Sequence, residues 1–344
     1  MIWTNDRDCG VNPKKRWTNA RDCGVNPKKR KKKGGNKLNK DIMATKIIGV
    51  GGMGINFVNY MIKEKIRKVE YITIDTNLEN SESSMANQKI FLDTGLDKCS
   101  REQVERIALQ CYEQFYELLK GTNILFLISG VGGATGSGIT PVILEVAREL
   151  KIFTITIVAR PFFLEGFDIM KIASIGMRKI EKLTDGLIII PNEKLYNYVD
   201  KRKPLSSAYG QANMLIKEGI ECIVNILAEV GLMNIDLLDV RAVLDNSRDT
   251  VIRVGEGFGE TAVEGILMQI KKKNLFEGEI RDAKRVLLSF TTGNDVPLSD
   301  IQKITQGITD VIKYKNIKLI WGIIINPSYE FNKKIKTVMI SSEQ

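Results

Sequence analysis

The stretch Gly130-Val131-Gly132-Gly133-Ala134-Thr135-Gly136-Ser137-Gly138 constrains this chain more than any other. It follows the apolar run Ile124 to Ile128, which reads as a buried strand. It precedes a segment in which Ile139, Val142, Ile143, Val146, Ala147 and Leu150 recur at helical spacing, so the pattern predicts a helix over 139–150. Five glycines in nine residues permit positive φ and remove side chains from the turn. The helix that starts there aims unpaired N–H groups and its positive dipole end at the same spot. A strand, a bare turn and a helix in that order make a phosphate cradle in an α/β protein. Pro141 is placed near the helix start, where its missing N–H leaves no partner unsatisfied.

The cradle is of neither common kind. A P-loop needs Gly-Lys-Ser/Thr after its second glycine and no lysine is present, while a dinucleotide fold needs Gly-x-Gly-x-x-Gly after the first strand of its unit. A second glycine-rich turn, Gly49-Val50-Gly51-Gly52-Met53-Gly54, follows the short apolar strand Thr45 to Val50 and leads into an amphipathic helix through Asn56, Phe57, Tyr60 and Met61. Two such turns at the strand ends of one sheet can hold different phosphates of one nucleotide. The plainer reading of either turn alone is a glycine-rich corner without a ligand.

At 344 residues the chain is long enough for two domains, and 43% hydrophobic with 27% charged residues is ordinary for a globular protein. No apolar run is long enough to span a membrane and no signal-peptide core opens the chain, so a cytoplasmic protein is expected. Five scattered cysteines without a Cys-x-x-Cys pair suggest neither a disulfide framework nor a zinc site. With no histidine, the Ser-His-Asp and Cys-His arrangements are excluded.

The net charge of +10 belongs to one end. Residues 1–40 hold 13 of the 51 basic and 3 of the 41 acidic residues, so the other 304 carry 38 of each sign. Nucleic acid is therefore not an expected partner of the folded body. The segment 1–42 reads as a disordered basic leader, in which Trp3 to Arg16 and Trp17 to Arg30 are the same fourteen residues apart from Asp6 against Ala20. A basic arm for anionic partners is one reading. The favoured one is sequence upstream of a true start at Met43.

Gly-Gly-Ala-Thr-Gly-Ser-Gly at 132–138 resembles the Gly-Gly-Gly-Thr-Gly-Ser/Thr-Gly signature of the tubulin and FtsZ superfamily, with Ala134 in place of one glycine. The run 49–59 resembles the first nucleotide loop of FtsZ, with Met53 and Ile55 as departures. Asp75-Thr76-Asn77 after the strand Val69 to Asp75 resembles that family's Asn-Thr-Asp. Further matches are Arg160-Pro161-Phe162-Phe163-Leu164-Glu165-Gly166, Pro191-Asn192-Glu193-Lys194-Leu195, Thr291-Thr292-Gly293-Asn294-Asp295 and, above all, Gly231-Leu232-Met233-Asn234-Ile235-Asp236-Leu237-Leu238-Asp239-Val240. The resemblance covers nearly all of 45–340.

It implies a Rossmann-like parallel-sheet GTPase domain joined by a long central helix to a smaller α+β domain. On this chain the expected divisions are 43–204, 205–231 and 232–344. It also implies a nucleotide site of Gly51, Gly52, Met53, Gly132, Gly133, Ala134, Thr135, Gly136 and Ser137 around the phosphates, with Asn56 by the base. Glu165 falls at the ribose, with Asn192, Tyr209 and Asn213 at the base; GTP or GDP and Mg²⁺ are the implied ligands. Asn234, Asp236 and Asp239 match the loop that enters the next subunit's site and orients the attacking water, so hydrolysis would need a head-to-tail homopolymer.

Read from the residues alone, Asp236 and Asp239 are an ordinary helix start. Three departures weaken the match. Charged residues at Asp97 to Arg101 replace a small-residue loop over the γ-phosphate, with Ser100 and Gln103 predicted as a capping box. Ile169 stands where the family has an arginine. Asn213 stands where it has a guanine-reading aspartate, and an amide offers a donor where an acceptor is wanted. After Gln344 no counterpart of the family's tail for membrane-tethering partners is evident, so no membrane connection is expected. The expectation is a divergent FtsZ acting in bacterial cell division at the division site. The alternative is a non-hydrolysing or weakly hydrolysing paralogue that binds nucleotide and regulates filament assembly, with a conventional FtsZ as its partner.

Overall fold

The computed structural model describes residues 43–343 apart from 97, 199–203, 229–231, 234, 273, 274 and 331. The leader, Asp97 and Asn234 lie outside the described residues. Six strands, β1 Thr45–Val50, β2 Glu70–Asp75, β3 Gln88–Phe91, β4 Ile124–Gly130, β5 Phe153–Arg160 and β6 Gly186–Pro191, form a parallel sheet in the order β3-β2-β1-β4-β5-β6. These strands are nearly continuous apolar runs because helices cover both faces. Ile48 sits opposite Ile72 on one side and Leu127 on the other, and all three are fully buried.

The intervening helices are α1 Gly51–Lys63, α2 Leu78–Ser83, α3 Arg101–Gln110, α4 Tyr112–Leu119, α5 Ala134–Glu149, α6 Phe167–Leu183, α7 Asn192–Tyr198 and α8 Leu205–Ala228. One face of the sheet packs on α1 and α8 through Phe57, Met61, Ile216 and Ile220. The other packs on α3 to α6 through Val104, Phe115, Ile143 and Ile180. The chain winds outward from β1 to β3, returns to β4, then winds the other way, so order reverses between β1 and β4. Ligands of such sheets bind at that reversal, beyond the carboxyl ends of the strands.

Helix α8 runs from that edge to the opposite one. Near its start, Tyr209 lies within electrostatic reach of Glu165, which follows β5. Near its end, Val224, Leu227 and Ala228 line a small cavity with Met43 and Thr45, where β1 begins. At 1.5 Å per residue its 24 residues span roughly 35 Å.

Beyond α9 Leu237–Leu244 lies a second sheet of β7 Val251–Gly257, β8 Arg285–Thr292, β9 Lys318–Ile325 and β10 Ile335–Ser342, in the order β7-β10-β8-β9. β10 is antiparallel to both neighbours, whereas β8 and β9 are parallel. Alternation along β8 and β10 divides the apolar residues between faces. Val286, Leu288, Phe290 and Met339 pack under α10 Ala262–Ile270 and α11 Leu298–Thr309, while Leu287, Val338 and Ile340 join the core around α8.

One helix boundary differs from expectation. α5 begins at Ala134 rather than Ile139, so Pro141 is its eighth residue, inside the helix and not at its start. The cause is close packing. A Cβ on Gly136 would lie 2.0 Å from the Gly130 carbonyl oxygen, and one on Gly138 would lie 2.9 Å from that of Arg101. These two glycines serve helix contact rather than turn flexibility.

Candidate functional site

Both glycine turns lie at the β1/β4 reversal. Gly51 takes φ +74° and Gly132 φ +109°, values that L side chains rarely adopt. The turns touch, since a Cβ on Gly130 would meet that of Met53 at 3.4 Å and one on Gly51 would meet that of Thr135 at 3.7 Å. Among the helices whose N-caps are described, α1 and α5 alone have neither a capping side chain nor an acid in the first turn. Helix starts leave N–H groups without intrahelical partners, and neither first turn supplies an acid or a capping side chain to answer them. A Cβ at Gly133 would meet nothing within 4 Å. This bare, electropositive corner fits a phosphate group.

The predicted cradle residues divide in two. Gly52, Met53, Gly133, Ala134 and Thr135 are partly or fully exposed, as is Asn56 on α1, whereas Gly51 is buried. Gly136 and Ser137 are buried, and the Ser137 hydroxyl oxygen accepts from the Gly132 N–H at 3.0 Å while its own N–H reaches the Gly133 carbonyl. Ser137 therefore braces the turn from behind through the Gly132 N–H. Ile169 packs its Cγ2 against Gly132, where an added Cβ would lie 2.9 Å away, so an apolar brace stands at the expected arginine.

Glu165 follows β5 in the turn Phe163–Glu165. Its Oε1 accepts from the Phe162 N–H at 2.7 Å, and Glu193 at the start of α7 accepts from the Phe163 N–H at 2.7 Å. One Glu165 oxygen thus holds the loop. Burial first, and then the neighbouring Glu165 carboxylate, push the Tyr209 phenol up from its ordinary value. Asn213, one helical turn along α8, shares that side with Tyr209. Asn192 begins α7 at the end of β6, and its Oδ1 is buried without a hydrogen-bond partner. An orphaned acceptor is costly unless something donates to it, and a nucleobase N–H would.

The acids lie elsewhere. Asp236 caps α9, accepting from the Asp239 N–H at 2.9 Å, and Asp239 returns the contact to the Asp236 N–H at 3.2 Å. The plain helix-start reading therefore holds, with one oxygen of each carboxylate still uncommitted. Arg241 of α9 stacks 4.9 Å over Phe153, the first residue of β5. The preceding segment is stitched to β9, with the Leu232 N–H donating to the Ile323 carbonyl at 2.9 Å. The Arg241 contact places α9 at the amino edge of the parallel sheet, opposite the glycine turns, and the Leu232 bond ties the segment before it to the second sheet. Among the described residues no group of three metal-ligating side chains occurs, so a magnesium ion here would take its oxygens chiefly from phosphates and water.

The segment expected over the γ-phosphate runs through Lys98 and Cys99 into a capped helix start at Arg101. The Ser100 and Gln103 box forms as predicted, and Arg101 is buried, bonded to Glu102 at 2.8 Å and Glu105 at 2.5 Å. Glu105 also pairs with Lys179 of α6, so the added charges bind α3 to α6.

A further group was not anticipated as functional. Asp75, at the end of β2 and 2% exposed, accepts from the Thr76 and Asn77 N–H groups at 2.7 and 3.0 Å and from Asn80 Nδ2 at 3.1 Å. Burial pushes its carboxyl up from the ordinary value, and the bonds from Asn77, Asn80 and Thr76 oppose that shift. The signal was an acid closing a buried strand before Thr-Asn, a sequence suited to an Asx turn.

Two family profiles match this chain: the Tubulin/FtsZ family GTPase domain over residues 44–200 and the FtsZ family C-terminal domain over residues 249–343. Among solved structures, the empty FtsZ dimer of M. jannaschii aligns with TM-score 0.76 and 25% identity, over 89% of this chain and 89% of that one. CetZ of Methanosaeta thermophila aligns with TM-score 0.71 and 18% identity over 88% and 87%. CetZ2 of Haloferax volcanii, solved as a GTPγS-bound protofilament, aligns with TM-score 0.71 and 14% identity over 87% and 92%. The two CetZ likenesses concern the fold.

Proposed function

This chain belongs to the tubulin/FtsZ family, and from that premise we propose that it is a self-assembling GTPase whose hydrolytic site is shared between consecutive copies in a head-to-tail filament of bacterial cell division. The observation that carries the proposal is the separation of the two half-sites. Bare phosphate donors stand at one edge of the parallel sheet, the uncommitted carboxylate oxygens of Asp236 and Asp239 stand at the other, and α8 spans the roughly 35 Å between them. No side chain reaches across that distance. A second copy, translated along the axis of α8, brings acids to phosphates.

Both edges also expose apolar side chains beside the polar ones. Phe163, Leu164 and Phe167 are 67%, 85% and 81% exposed around Glu165, and Leu232 and Leu238 are each 73% exposed beside Asp236 and Asp239. Such pairs of unlike patches suit a heterologous contact, which propagates when its rotation does not close. A protofilament of the Haloferax CetZ and a dimer of the M. jannaschii FtsZ are cases of self-association among proteins of this fold.

Phosphoryl transfer asks mainly for positioning and charge stabilisation. The N–H groups opening α1 and α5 would hold the phosphates, Glu165 a ribose hydroxyl, and Asn192, Tyr209 and Asn213 the base. Asp236 and Asp239 of the adjoining copy would orient water in line with the terminal phosphorus. A magnesium ion bound with the nucleotide would supply positive charge that stabilises the transfer.

The test is phosphate release from GTP and Mg²⁺ across a range of protein concentrations. The expected rate per molecule is near zero when dilute and rises above a threshold. A constant, appreciable rate per molecule would place the whole site in one subunit and sink the shared-site reading.

A further inference from the structure

We infer that Asp75 is a positioning residue that sets the spacing between the two phosphate turns, acting through Thr76 and Asn80 rather than on the nucleotide itself. The inference rests on the nucleotide reading of those turns.

Asp75 cannot serve the ligand directly. Its Oδ1 is occupied by two backbone N–H groups, those of Thr76 and Asn77, and its Oδ2 by the side-chain amide of Asn80. A buried carboxylate beside a polyphosphate is electrostatically unfavourable, so its presence at 2% exposure needs a structural return. That return is the shape of the turn 76–80. The bonds to Oδ1 fold the backbone back on itself, and Asn77 caps α2 by accepting from the Asn80 N–H at 2.9 Å.

From this hub two side chains reach the two turns. The Thr76 hydroxyl meets the Thr135 hydroxyl at 2.6 Å, at the second residue of α5. The Asn80 amide borders Gly52, where an added Cβ would lie 3.2 Å from Asn80 Nδ2. One acid thus orders contacts to the start of α5 and to the start of α1. If those helix starts hold phosphates of one nucleotide, their separation has to match it, and misplacement there weakens binding.

The chemistry allows a directed swap. Asp75→Asn keeps an oxygen for the two backbone N–H groups but turns an NH₂ toward the NH₂ of Asn80, donor against donor. Adding Asn80→Asp restores a donor and acceptor pair in reverse and the original net charge. A role in turn geometry predicts rescue by that double change. A role that needs the carboxylate itself at position 75 does not.

The experiment measures the affinity of the full chain for mant-GDP, with GTP turnover in parallel. D75N should weaken binding about tenfold and raise KM with little change in kcat, and D75N/N80D should recover most of the loss. T76V, which removes only the hydroxyl pair, should weaken binding less than D75N while leaving the melting temperature nearly unchanged, and it decides the matter should D75N fail to fold. Wild-type affinity in both D75N and T76V, or no recovery in the double variant, would overturn the inference. A wild-type chain that binds no mant-GDP would overturn the nucleotide reading on which it rests, a different and recognisable failure.

Discussion

At the carboxyl edge of the first sheet, α1 and α5 begin with no side-chain cap and no acid, and the backbone N–H groups are left to whatever enters the corner. At the amino edge, α9 begins with a complete reciprocal cap made by Asp236 and Asp239. One end is unfinished without a ligand, whereas the other is stable alone and keeps acceptor oxygens in reserve. A corner that forgoes its own caps gives up about 1 kcal/mol for each cap it lacks. That loss makes sense where an anion supplies the missing partner, and the acidic end incurs no such loss because its helix is already satisfied.

If the two ends are halves of one site, disabling either should abolish turnover while the fold survives. Asp239→Asn keeps an oxygen for the Asp236 N–H and removes the charge, so kcat should fall by about a hundredfold or more with nucleotide affinity unchanged. Gly133→Asp places an acid in the open corner and should abolish binding. Mixing the two inactive variants should restore activity, because cradles of the first meet acids of the second. A mixture as inactive as its components would locate both halves in one subunit.

Within the carboxyl edge the glycines themselves should separate. Gly136→Ala drives a Cβ to 2.0 Å from the Gly130 carbonyl oxygen and should cost about 3 kcal/mol of stability, read as a lower urea midpoint. Gly133→Ala meets open space and should stay within about 0.5 kcal/mol of wild type. A smaller effect is expected at the base end. Asn213→Asp should raise the preference for GTP over ATP by about tenfold in competition binding, since a carboxylate accepts two guanine N–H groups. An unchanged ratio would mean that position 213 does not read the base.

Much of this was legible beforehand. The strand Thr45–Val50 and the capping box of Ser100 and Gln103 stand as the pattern indicated, because local propensity and tertiary packing agree there. The start of α5 was not legible. Gly136 and Gly138 look like turn residues by propensity, and only the approach of Gly130 and Arg101 shows that they are contact residues inside a helix. The bond from the Gly132 N–H to the Ser137 hydroxyl was likewise not legible. A motif names the residues near a ligand without saying which side of the backbone each side chain takes. Asp75 was passed over because its importance lies in contacts with Asn80, and through Thr76 with Thr135, a pairing across 59 residues that no local pattern records.

What the amino-acid sequence determines by itself is the alternation of buried strands and helices and the two bare turns that a phosphate-binding edge requires. Those features follow from short-range rules of periodicity, capping and glycine permissiveness, and they can be read in windows of a few residues. Tertiary structure alone decides that the turns meet at the reversal between β1 and β4, that Ile169 braces one of them, and that α8 holds the acids at the far edge of the sheet. Those are long-range facts. They depend on which strand pairs with which and on how far a helix of fixed rise carries the chain before it turns.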